Sequence, residues 1–467
     1  MDDLQGWLAK LTPTSCPAQA LVGLLRCPEV TSDPAVLEDL LRALNTICDP
    51  DPDCEGTAKP RAALGKAGVV APLVGLLTAH PDLPATSPAL AKQLLLAIGN
   101  LSWENSKNKA SFGRAGVADP LVRLLTDNPD LLATPDLAES LLWAIRNLSG
   151  DKENQASFGR AGVVAPLVRM LAHPNLPATS LAEQLLRAIA NLSADKETEA
   201  SFGRAGVAAP LVRLLTAHPD LAEELLRAIV NLSVDNENEV SFGRAGVAAP
   251  LVRLLTDHPD LPSTSPAEAK HLLGAIANLS VDKENKASFG RAGVAAPLVG
   301  LLTAHPDLPA TSPTVALYLL RAIRHLSADK ENRVSFGRAG VAAPLVRLLT
   351  AHPNLPATSP TVAEQLLGAI GNLSWGNPEN KASFGRAGVA APLVGLLKAH
   401  PDLPTTSPAL AEQLLRAICY LSADKENLAS FGRAGAAAPL ARLLTAHPDL
   451  PADLLKAIGD LVPQLQP

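Results

Sequence analysis

A carboxamide recurs along this chain at a fixed place in a short motif. Asn100, Asn147, Asn191, Asn231, Asn278 and Asn372 each stand in an Ile-x-Asn-Leu-Ser segment, and His325, Tyr420 and Asp460 occupy the same slot in other copies. An amide side chain carries a donor and an acceptor, so a row of them can pair with peptide groups whatever side chains lie beside them. The same amides could instead cap or bridge adjacent helices. Four residues earlier, one helical turn away on the same face, stand Arg187, Arg227, Arg321 and Arg416, with Leu96 and Trp143 in N-terminal copies and Gly274 and Gly368 interrupting the row. Guanidinium rows select carboxylates and phosphates. Glu183, Glu223 and Glu412 on the same helices could also neutralise them.

The remaining candidates point away from catalysis. His-Pro-Asp recurs at His80, His218, His258, His305, His400 and His447, with Asn for Asp after His173 and His352. A metal ion needs several ligands converging on one point, and one histidine per repeat spaces them too far apart, so the expected role is to end a helix. Ser-Pro at 87, 265, 312, 359 and 407 suits a side-chain N-cap followed by Pro at the first helical position. Cys16, Cys27, Cys48 and Cys54 lack a Cys-x-x-Cys pair and read as buried thiols. Walker loops, nucleophile elbows and His-Glu-x-x-His are all missing. The chain reads as a non-enzyme with neither cofactor nor metal.

Composition narrows the class further. The 467 residues are 47% hydrophobic but only 3% aromatic, with 41 Pro, 31 Gly and 5 Cys, which fits neither a disordered, a collagenous nor a disulfide-rich chain. A formal charge of −6 argues against the broad basic surface that nucleic acid requires. The start, MDDLQGWLAKL, is acidic where a signal peptide is basic, and no apolar run reaches the length of a membrane span. The expected compartment is the cytoplasm or the nucleus.

These residues are positioned by a repeat. Phe recurs in Ser-Phe-Gly-Arg-Ala-Gly at 112, 158, 202, 242, 289, 336, 384 and 431, with Leu64 in the slot of a weaker first copy. Residues 61–467 read as nine tandem repeats closing on a short C-terminal capping helix, and residues 1–60 as a cap with one degenerate repeat. Each repeat reads as three helices. The first, such as 284–292, ends at Gly293 in the C′ position; the second starts at Pro297; the third, longest helix begins at Ser312-Pro313. Between the second and third lies a Leu-Pro-Ala-Thr-Ser-Pro loop, dropped between Phe202 and Phe242. On one third helix Leu181, Leu185, Ala188, Ile189 and Leu192 share a core face, while Gln184, Arg187 and Asn191 line a polar stripe. A single repeat could not bury its apolar face alone, so stacking must create the core.

The order of short helix, glycine turn, proline-started helix and long helix ending in Ile-x-Asn-Leu-Ser resembles the armadillo repeat. The resemblance implies an all-α, right-handed superhelical solenoid of about ten three-helix repeats. It further implies that third helices line a concave groove where the asparagines hold an extended segment and the arginines select acidic or phosphorylated ones. Trp143 with Asn147 is the one match to the Trp-x-x-x-Asn pairing of importin-α-type armadillo proteins, too few for that function. The stretched second-to-third connection with Leu-Leu-Thr-Ala-His is similar to repeats of the small-GTPase GDP-dissociation stimulator type, which implies a GTPase partner and a regulatory function as the alternative.

Overall fold

A computed structural model describes residues 2–8, 10–12, 16–49, 58–174, 176 and 180–465. The regular elements among them are all helical. The chain divides into two compact units, Met1–Asn238 and Glu239–Pro467.

The repeat around Phe289 shows how one module is built. Its first helix runs Lys283–Arg291, and the Asp282 side chain ahead of it accepts the backbone N–H of Asn285. Asp151, Asp195, Asp329 and Asp424 cap their helices likewise, as do Asn105 and Asn377. Each such cap contributes about 1 kcal/mol, and it places the helix start one residue ahead of the expected 284. At the other end Gly293 turns the chain at φ 81°. The N–H of Gly293 reaches the Gly290 carbonyl and that of Val294 reaches the Phe289 carbonyl, the paired bonds of a Schellman motif.

The second helix, Ala295–Ala304, begins at once after Val294, itself already helical in backbone. Pro297 is therefore its third residue, not its first as the sequence suggested. The substitution of one early position for another costs nothing, because the first four N–H groups of a helix have no internal acceptor. Past His305 the expected loop is a further turn of helix, Leu308–Thr311, anchored by buried Leu308 and Pro309. Leu83–Thr86, Leu261–Thr264, Leu355–Thr358 and Leu403–Thr406 repeat it. In the shortened copy a 3-10 turn, Pro219–Leu221, leads directly into the third helix Ala222–Leu232.

Third helices start at proline as expected, in this repeat over Pro313–Leu326. The side-chain capping expected of Ser-Pro is absent: Ser312 and its counterparts Ser87, Ser265, Ser359 and Ser407 make no side-chain cap bond. Main-chain bonds replace it. Ser312 donates its N–H to the Leu308 carbonyl, ending the short turn, and accepts the Ala316 N–H, starting the long helix.

All eight repeat phenylalanines are fully buried, as is Leu64, and each stabilises the stack by about 1.5–3 kcal/mol. The core stripe Leu181, Leu185, Ala188, Ile189 and Leu192 is buried as its spacing predicted. In the first unit the helices Pro34–Cys48, Pro88–Ser102, Pro135–Leu148, Ser180–Leu192 and Ala222–Leu232 pack each on the next. In the second, Pro266–Leu279, Pro313–Leu326, Pro360–Ser374, Pro408–Ser422 and Ala452–Leu461 do the same. Each unit is thus a helical solenoid whose third helices share one face. Only part of the buried-thiol expectation holds: Cys48 is buried, its thiol pushed up to about 12 by desolvation, whereas Cys16, Cys27 and Cys419 are half-buried. Cys54 lies outside the described residues.

Candidate functional site

The third-helix asparagines bridge successive helices. Asn191 Nδ2 donates to the carbonyl of Arg146 at 3.0 Å, Asn231 to Ala190 at 2.8 Å, and in the second unit Asn372 to Arg324 at 2.9 Å. His325 follows the pattern, with Nδ1 2.9 Å from the Ala277 carbonyl. Every acceptor precedes the Asn slot of the previous third helix and lies in that helix's last turn. Carbonyls there have run out of intrahelical donors, and the next repeat supplies one. The donor half of these amides is therefore engaged within the protein. Asn278 occupies the same slot of Pro266–Leu279 and has a partner.

The N-terminal copies differ. Asn100 Nδ2 lies 3.4 Å from Asn45 Oδ1, and its own Oδ1 accepts the indole N–H of Trp143 at 3.0 Å. Asn147 turns back to the Trp143 carbonyl of its own helix. The Trp143 ring lies where a Cβ on Gly99 would be, and the Arg146 guanidinium sits 5.1 Å from the ring centroid. Trp143 and Asn147 thus share a helix face already occupied by an intramolecular cation.

The arginine row splits by partner. Arg187 gives Nε and Nη2 to one oxygen of Glu224, at 3.1 and 2.6 Å, with Glu183 farther at 3.9 Å. Arg416 pairs with Glu412 at 2.8 Å and with Asp453 at 3.4 Å, and the Glu412 bond, helped by Tyr420, raises its pKa against the cost of burial. Arg227, exposed, donates to Asn191 Oδ1 at 3.2 Å. Arg321 has no carboxylate within 4.0 Å among the described residues.

A further arginine belongs to this face, one residue before the Asn slot, and sequence reasoning passed over it. Arg146 donates to Gln184 at 2.8 Å and is pushed down to about 10, first by burial and then by the charges of Arg187 and Arg227. Guanidiniums from three successive third helices of the first unit consequently influence one another. Arg324, its counterpart in the second unit, reaches Glu364 at 2.9 Å and Gln365 at 3.0 Å.

A second asparagine ladder, near the start of the first helices, was also missed. Asn108, Asn154, Asn332, Asn380 and Asn427 are buried, and each donates to two carbonyls of the preceding repeat, one on its first helix and one a leucine at the end of its third. The available signal was Asn at a constant four residues before the repeat phenylalanine. Two of the loop histidines bridge repeats as well: His305 Nε2 lies 3.4 Å from the Pro259 carbonyl and His352 Nε2 3.2 Å from that of Pro306. Among the described residues no group of three or more His, Cys, Asp or Glu could hold a metal ion, and no single helix is long and apolar enough to cross a membrane.

No protein-family model matches the sequence, and no curated protein matches it. Solved structures share its fold. A crystal structure of an engineered protein aligns over 96% of this chain and 98% of its own, at a TM-score of 0.74 and 22% identity. A structure from work on a phosphorylation switch controlling the interaction between cadherin and beta-catenin aligns over 95% of this chain and 86% of its own, at a TM-score of 0.72 and 17% identity. A designed armadillo repeat protein in complex with the peptide (KR)4 aligns over 55% of this chain and 99% of its own, at 0.42 and 25%.

Proposed function

We propose that this chain, an armadillo-repeat solenoid in fold, is a non-enzymatic protein-interaction scaffold that holds extended acidic or phosphorylated segments along its third-helix face. The observation that carries the reading is the gathering of cations on that face of a chain whose formal charge is −6. Arg146, Arg187 and Arg227 act on one another in the first unit, and Arg321, Arg324 and Lys286 surround His325 in the second. Like charges placed together are stabilised by a ligand of opposite sign. A fold neighbour that figures in work on a phosphorylation switch between protein partners supports a charge-selective role.

In this reading the asparagines set the spacing of the third helices by their Nδ2 donors. The Asn372 oxygen remains to accept a peptide N–H group of a bound segment, whereas those of Asn100 and Asn191 already accept from Trp143 and Arg227. The arginines then select charge.

The test is an array of extended peptides, acidic, phosphorylated, neutral and basic, probed with the full chain and with Arg227→Glu/Arg321→Glu. The wild type should retain acidic and phosphorylated peptides with affinity that falls as salt rises. The variant, with an unchanged circular dichroism spectrum, should bind them at least tenfold more weakly. Equal retention by both proteins, or a preference of the wild type for basic peptides, would refute the reading.

A further inference from the structure

The second unit holds a recess of about 430 Å³ lined by Lys286, Arg321, Arg324, His325, Gln365 and Asn372. Lys286 arrives from the first helix Lys283–Arg291, Arg321, Arg324 and His325 from Pro313–Leu326, and the two amides from Pro360–Ser374. We infer that this recess is a phosphomonoester site, built to take the phosphorylated serine or threonine side chain of a protein segment. For the source of the ligand the inference rests on the scaffold reading above; for its chemistry it does not.

The charge balance is the first argument. Lys286 and Arg321 have no carboxylate within 4.0 Å among the described residues, and Arg324 is answered by Glu364 alone. Three cations against one carboxylate leave two positive charges, and a phosphomonoester carries about −1.5 to −2 near pH 7. The corresponding cations elsewhere have closer partners: Arg187 has Glu224, Arg416 has Glu412, and Arg146 has Gln184 and the Trp143 ring.

Donor geometry is the second. A Cβ on Gly368 would lie 2.6 Å from Arg324 Nε, so glycine there opens the space in which Arg324 lies across the next helix. The glycine that interrupts the arginine row thus seats a different arginine. His325 presents Nδ1 to the Ala277 carbonyl; a carbonyl only accepts, so Nδ1 carries the hydrogen and Nε2 is the titrating atom. Burial, and then Arg321, Arg324 and Lys286, hold the imidazole below its usual pKa. A bound dianion would reverse those charges' effect and raise it.

A peptide source is favoured by the company the cations keep. Gln365 and Asn372 can pair with backbone beside the phosphate, whereas Val281 is the one large apolar residue exposed at the recess.

The full chain, labelled with 13C at histidine Cε1, would be titrated with N-acetyl-O-phosphoserine N-methylamide. Expected is a saturable shift of one histidine resonance, missing in His325→Gln and not produced by the unphosphorylated amide. Lys286→Ala and Arg321→Gln, each checked for an unchanged circular dichroism spectrum, should each weaken binding several-fold, and together at least tenfold. No saturable shift, or an equal one from the unphosphorylated amide, overturns the site. A response to inorganic phosphate but not to the phosphoserine amide, or co-sedimentation with phosphoinositide vesicles without that shift, also overturns it, in favour of a free-phosphate or lipid site. If the shift appears while the peptide array shows no charge preference, the scaffold reading fails and the phosphate site stands. The converse result removes the site and leaves the scaffold.

Discussion

Asn332 fills the space that a Cβ on Gly290 would need, while donating its amide to the carbonyls of Lys286 at 3.0 Å and Leu326 at 3.2 Å. Gly113 with Asn154, Gly337 with Asn380 and Gly385 with Asn427 repeat the relationship. The glycine of Phe-Gly-Arg and the asparagine four residues before the next repeat's phenylalanine are therefore two halves of one joint between repeats. That joint also fixes the backbone from which Lys286 projects.

Gly290→Ala should destabilise the protein even though alanine favours a helix by about 1 kcal/mol over glycine. A methyl group there must displace a buried, doubly bonded amide, a form of overpacking that costs about 1–3 kcal/mol. Gly300→Ala should do the opposite, because its added Cβ meets nothing within 4 Å. Urea unfolding midpoints measured side by side check both signs. A raised midpoint for Gly290→Ala would show that the joint yields.

The two asparagine ladders should differ in weight. Asn332 is buried and serves two carbonyls, so Asn332→Ala strands buried acceptors at about 1–3 kcal/mol each. Asn372 makes one such bond from a half-buried position, where water can replace it, and Asn372→Ala should cost about 1 kcal/mol or less. Thermal scanning of the two variants should place Asn332→Ala clearly lower. The reverse order would make the third-helix ladder the principal bridge.

What was legible in the sequence was what repeats locally. Phenylalanine spacing gave the module, Gly293 the turn and Pro313 the start of the long helix. Asn332 escaped notice because a polar residue near a helix start reads as solvated, and its partner Lys286 lies 46 residues away. The Arg416–Glu412 pair could be anticipated from one helix alone, but the closer partner of Arg187 is Glu224, 37 residues on. Arg146 and Arg324 lie off the row that fixed spacing picked out, and only packing brings them to it. The one-turn helices were read as loop because Leu-Pro-Ala-Thr has too few residues for a period to show.

Glu199 sets a pH dependence. Burial, reinforced by Asp235 and only partly offset by an Asp235 backbone hydrogen bond and Lys196, pushes its carboxyl up to about 7 from the ordinary 4.5. One carboxyl oxygen has no hydrogen-bond partner. The folded state therefore holds this proton more tightly than the unfolded chain does, and its stabilising effect is complete below pH 4.5 and lost as pH rises through about 7. Melting temperatures of wild type and Glu199→Gln should diverge as pH is raised across that window, the variant becoming relatively more stable. Parallel curves would show that Glu199 ionises as freely in the fold as outside it.

Arginines that look alike in the row should separate into structural and available ones. Arg187→Ala leaves the Glu224 carboxylate, 11% exposed, without its bidentate donor, and a partly buried charge that loses its partner is costly. The variant should melt well below wild type, and Glu224→Gln in the same chain should recover part of the loss, giving a coupling of about 1–3 kcal/mol in a double-mutant cycle. Arg227→Ala removes an exposed side chain that donates to Asn191, and should change stability by about 0.5 kcal/mol or less. If both variants melted alike, the Arg187–Glu224 pair would contribute no more than a solvated contact, and Arg187 would be as available to a ligand as Arg227.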